Sequence, residues 1–111
     1  MKVNDLKHIP AIKTCYVDAD RLIDGYYACD MLSWAMGHIK RENIVLITIL
    51  SNMNVIAVAS LLGCSAIIFR EGVTPSQEVI EQAELEGIAL FGSDLDALAI
   101  YEGIKTYETQ L

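Results

Sequence analysis

From Ile44 to Gly92 the apolar and polar positions fall into blocks that read strand, helix, strand, helix, strand. The run IVLITIL (44–50) is interrupted only by Thr48, which predicts a central strand covered on both faces. A helix follows over MNVIAVASLLG (53–63), capped by Ser51 or Asn52 and stopped by Gly63. AIIF (66–69) reads as a second strand. Thr74-Pro75-Ser76-Gln77 predicts a capping box with proline at the first helical position, and Glu78 and Glu81 favour the positive end of that helix. Gly87 closes it, and Ile88–Phe91 gives a third strand. Ser93 or Asp94 starts a last helix, with Leu95, Leu98, Ala99, Glu102 and Ile104 defining its faces. Two βα repeats in succession mean a parallel sheet with helices packed on it.

Upstream, VNDLKHI (3–9) predicts a short opening helix stopped before Pro10, and Ala11–Val17 a strand. Residues 18–24 form a polar connection, and GYYAC (25–29) is a short β-prone segment. Asp30 then caps a helix from Met31 to about Lys40. Its apolar residues Met31, Leu32, Trp34, Ala35, Met36 and Ile39 are too dense for one narrow stripe, which predicts burial on more than one side or a subunit contact. The 111 residues therefore read as a single α/β domain. It has three α/β/α layers and a mostly parallel sheet of about five strands, to which the N-terminal strands add a mixed or antiparallel edge.

Composition narrows the function. Hydrophobic residues make up 53% of the chain, a surplus that fits either an interface with a second copy or strands covered on both faces. A net charge of −7, with 15 carboxylates against 8 cations, leaves no basic stripe for nucleic acid or an anionic membrane surface. No apolar run reaches membrane-spanning length, and MKVNDLKHIP lacks the apolar core of a signal peptide, so a cytoplasmic location is expected. Cys15, Cys29 and Cys64 form no C-x-x-C pair and have only His8 and His38 as imidazole company, so free thiols and no metal site are expected. The glycine-rich phosphate loops, the nucleophile elbow and the zinc-protease helix are all absent. With no catalytic constellation, the expectation is a protein that is not an enzyme and carries no cofactor.

Candidate binding residues come from the loops after the strands, where open parallel sheets form their ligand crevice. Ser51 and Asn52 read as a polar clamp or as helix caps. Arg70 suits a phosphate or carboxylate, or a surface pairing with Glu71. Gly72 supplies a positive φ, Ser93 completes the loop set, and Asp30 is either a cleft carboxylate or an N-cap. Tyr26, Tyr27 and Trp34 serve either base stacking or packing at a dimer interface.

The segment ITILSNMNVIAVASLLGCSAIIFREGVTPSQEVIEQAELEGIALF (47–91) resembles the DRTGG domain family, and its small stand-alone members associated with iron hydrogenases above all. Asp24–His38, DGYYACDMLSWAMGH, is similar to the glycine–aromatic–small–Asp stretch and following helix of those proteins, so the likeness spans roughly residues 10–105. Leu50-Ser51-Asn52, Gly63, Gly72-Val73-Thr74-Pro75-Ser76 and Gly87-Ile88 match best. At the two signature loops the chain reads Leu50-Ser51-Asn52 and Arg70-Glu71-Gly72, and only Gly72 is kept. The resemblance implies a fold like the N-terminal domain of HPr kinase. It implies a regulatory, homodimeric module binding a small metabolite or nucleotide at the strand ends. The alternative it implies is a structural protein docking on a hydrogenase-related metabolic enzyme.

Overall fold

The computed structural model describes residues 1–17 and 20–111; the start of the polar connection expected over 18–24 lies outside them. A 3-10 turn, Val3–His8, opens the chain. Five strands follow: β1 (Lys13–Tyr16), β2 (Gly25–Ala28), β3 (Ile44–Thr48), β4 (Ala66–Phe69) and β5 (Ala89–Gly92). The helices are α1 (Leu32–His38), α2 (Met53–Leu61), α3 (Gln77–Glu86) and α4 (Ala97–Glu108).

The strand order is β1-β5-β4-β3-β2. β2 to β5 are parallel and β1 adds an antiparallel edge on β5, with a register shift between Thr14 and Tyr16. Because β2 to β5 lie in the order of the sequence, each right-handed crossover carries its helix to the same face. The parity of the strands follows from this. Leu46, Ile67, Phe69 and Leu90 point to the layer of α1, α2 and α3. Val45, Ile47, Ile68 and Phe91 point to the other face, which α4 and the opening 3-10 turn cover through Ile100, Ile104, Val3 and Leu6. The three-layer architecture and the mostly parallel five-stranded sheet stand as the sequence implies. Every residue of β3, β4 and β5 is buried, as strands covered on both faces require.

Three local expectations need correction. Ser76, not Thr74, caps α3, accepting from the Val79 amide at 3.3 Å, so Pro75 precedes the helix instead of opening it. Asp96, not Ser93 or Asp94, caps α4, accepting from the Ala99 amide at 2.8 Å. In α1 only Ala35 is buried; Trp34 is 53% exposed and Met31 and Met36 lie open to solvent, so within the chain the helix is covered on one side alone, which overturns burial on more than one side and not the subunit contact. Among the described residues no helix is long and apolar enough to cross a membrane.

Candidate functional site

Since the parallel strands never reverse order, the sheet has no switch point to open a crevice. The cleft comes from α4 instead, whose N-terminal turn lies across the sheet from β2. Its approach is fixed by the loop after β5: the Glu71 amide donates to the Leu95 carbonyl at 3.0 Å and the Gly72 amide to the Ser93 carbonyl at 3.0 Å. The result is a cleft of about 440 Å³ at the carboxyl ends of β2 and β4, with Asp30, Arg70, Glu71 and Asp96 among its lining.

Asp30 organises this cleft. Its Oδ1 accepts from Thr48 Oγ1 at 2.9 Å and from the Ile49 amide at 2.8 Å, and its Oδ2 accepts from Arg70. Arg70 therefore reaches over the end of β3, and on its other side it pairs with Glu71 at 3.0 Å. Desolvation alone would raise the Asp30 carboxyl. The Ile49 amide, the Arg70 guanidinium and the Thr48 hydroxyl outweigh that and hold it below the usual carboxylate value. The cap reading of Asp30 gives way accordingly: Met31 stands at the N-cap of α1, with no side-chain hydrogen bond. Asp30 is spent on the neighbouring strand ends.

The other candidates, Ser51, Asn52, Gly72 and Ser93, do not line this cleft. Asn52 caps α2, accepting from the Val55 amide at 3.2 Å, and neither it nor Ser51 lines the cleft. Ser93 is buried and its hydroxyl accepts from the Leu95 amide at 3.1 Å, closing its own loop. Gly72 has φ +78 and follows Glu71 at φ +54, two left-handed residues in a row. A β-branched side chain at that φ is strained by about 1–2 kcal/mol, so Gly72→Val is expected to lower the melting temperature by about 5–10 °C. A thermal melt that moves by less than about 2 °C would overturn this assignment.

Sequence reasoning passed over Thr48, Glu71 and Asp96 as site residues. Thr48 did carry a signal, as the one polar residue in the longest apolar strand. His38 stacks on Trp34, ring centroids 4.1 Å apart, and bonds the Trp34 carbonyl through Nδ1, so it meets no nucleophile. Burial pushes the Cys64 thiol up to about 11 and the Cys15 thiol up as well, which leaves both protonated near neutral pH. Among the described residues no three His, Cys, Asp or Glu side chains are grouped to hold a metal ion.

The chain is similar in structure to the CBS and DRTGG domains of the regulatory region of Clostridium perfringens pyrophosphatase, solved with the activator diadenosine tetraphosphate. The TM-score is 0.71 over 95% of this chain, at 16% identity. The fold is DRTGG-like. This DRTGG-like chain spans 46% of the length of that neighbour. No protein-family model and no curated protein sequence matches it.

Proposed function

We propose that this chain is a non-catalytic regulatory module: one cytoplasmic DRTGG-like unit that works as a homodimer and binds a small metabolite or nucleotide at the carboxyl ends of its strands. The Asp30–Arg70–Glu71 network carries the reading. Arg70 bridges two carboxylates on the rim of an open cleft and keeps 20% of its side chain exposed. A ligand can draw Arg70 away with an anionic group or replace it with its own donors, and either exchange gives the two arrangements a switch requires. The fold neighbour, a regulatory region complexed with a nucleotide activator, supports the same reading.

The homodimer draws support from the two edges of the sheet. β1 is guarded by Lys13 and by its register shift, whereas β2, GYYA, carries no charge and lies last in the strand order. The exposed Trp34 and Met36 of α1, the helix that follows β2, and Met31 at its N-cap favour the second reading, a structural protein docking on a metabolic enzyme of hydrogenase or redox metabolism.

A thermal-shift panel of nucleotides, phosphates and small acids, run beside sedimentation, separates the readings. A ligand at about 100 times its dissociation constant adds about 2.7 kcal/mol, enough to move the melt by several degrees. A saturable shift that Arg70→Ala weakens or removes is expected. A flat panel from a folded dimer overturns the sensor and leaves the docking role, and a monomer at every concentration overturns the homodimer.

A further inference from the structure

A second concavity lies on the face of the sheet that α4 covers. It is a groove of about 500 Å³ running along β2 under α4, and Gly25, Tyr26, Arg41, Tyr101 and Lys105 line it together with Asp24. Its volume falls within the range of small-molecule sites, about 300–1,000 Å³.

The charges in this groove differ from those of the strand-end cleft. Two of the three arginines are spent: Arg70 holds Asp30 and Glu71, and Arg21 donates to the Cys64 and Gly63 carbonyls at 2.9 and 3.0 Å. Among the described residues Arg41 has no hydrogen-bond or ion-pair partner. Its guanidinium lies across the backbone of β2, where a Cβ on Gly25 would come within 2.5 Å of Nη2. Glycine at the first position of β2 is what lets the arginine lie there. Lys105 adds a second cation, its Nζ 5.4 Å from the Tyr101 ring centroid and bonded to Glu108 at 3.1 Å. Tyr101 is 41% exposed and stands edge-on to Tyr26, with ring centroids 5.4 Å apart. The Tyr26 hydroxyl is buried with no hydrogen-bond partner among the described residues. An unpaired guanidinium, a second cation and a partly exposed tyrosine ring thus share one groove, with Asp24 as its one carboxylate among the described residues, in a chain of net charge −7.

We propose that the groove between β2 and α4 is a binding site for a small anion carrying a flat ring, its phosphate or carboxylate held by Arg41 and Lys105 and its ring laid against Tyr101. The site adjoins the strand-end cleft, with which it shares Ala28, Ala97 and Leu98, but its anion rests on Arg41 and Lys105 and not on Arg70, so it does not depend on the reading given to that cleft. Arg41 supplies the bidentate fork that suits either anion, and the tyrosine supplies a stacking face.

Amide spectra of the 15N-labelled protein, titrated with AMP and separately with benzoate, test this and tell the phosphate source from the carboxylate source. Saturable shifts are expected at residues 24–26, 41 and 101–105, which line the groove and not the strand-end cleft, with at least one of the two anions. Adenosine, without the phosphate, should bind at least about tenfold more weakly than AMP if AMP is the binder. Arg41→Ala, at an exposed position, should weaken binding by about 10- to 100-fold, while Arg70→Ala leaves it unchanged. Tyr101→Leu should weaken it by several-fold as a second variant. No saturable shift from either anion up to about 10 mM would overturn the proposal. So would shifts confined to residues 29–30, 70–71 and 96 that vanish in Arg70→Ala, an outcome that supports the strand-end cleft instead.

Discussion

Phe69→Ala is expected to cost about 3–5 kcal/mol, the range measured for emptying a buried aromatic site. The side chain is fully buried in the layer between the sheet and helices α1 to α3. It ends the central strand β4, whose carbonyl accepts from the Ser93 amide at 2.9 Å and whose next residue is Arg70. A domain of this kind has about 5–15 kcal/mol in total, so the variant should lose a large share of its stability and some of the alignment of the strand-end loops. Urea unfolding followed by circular dichroism measures it. A loss under about 1 kcal/mol would mean that the layer repacks around the void. Phe91→Ala, of equal size on the opposite face, should instead loosen α4 and leave the Arg70 loop in place.

Asp30→Ala comes second, at about 2–3 kcal/mol. The Thr48 hydroxyl and the Ile49 amide lose their acceptor, and Arg70 keeps only Glu71. Thr48 is fully buried, so its hydroxyl has no water to turn to. The Asp30 carboxyl is partly exposed, which keeps the figure below that of a deeply buried pair. Asp30→Asn, which retains an acceptor oxygen, should cost less than half as much. The pH dependence has a definite sign. The folded state holds this carboxyl below its unfolded value of 3.8, so its contribution is complete above that pH. The contribution declines as pH falls below 3.8 and is gone once pH has passed the folded value. Wild-type stability should therefore fall more steeply than that of Asp30→Asn on acidification below about pH 4. Parallel acid-unfolding curves for the two proteins would remove Asp30 from the account.

Much of this architecture was legible in the residues. The unbroken apolar runs of β3 and β4 and the glycine stops at Gly63 and Gly87 depend on local geometry, and the positive φ of Gly72 does too. What failed depended on distant partners. Asp30 looks like a cap because Asp before a helix usually is one, and the competing acceptor role is set by Thr48 and Arg70 on other strands. Ser93, Asp94 and Asp96 all offer cap oxygens within four positions. Asp96 prevails because the loop is first pinned to Glu71 and Gly72, which delays the helix. The apolar density of α1 says nothing about whether this chain supplies a cover for each side, and Met31, Trp34 and Met36 stay about half exposed. Arg41 reads as one charge in a KRE run, and only the missing Cβ of Gly25 shows where its guanidinium lies.

The antiparallel edge has a kinetic meaning. β2, β3, β4 and β5 pair in the order in which they are made, so each βα unit can settle on the one before it. β1 must wait for β5, since Lys13 pairs with Gly92, and the opening 3-10 turn must wait for Ile100 and Ile104 of α4. Contacts of such sequence separation form late and slow the search. While the chain is being synthesised, the face bearing Val45, Ile47 and Ile68 stays bare until the last helix arrives. That interval is when a nascent chain of this fold is most prone to stick to its neighbours and most in need of a chaperone.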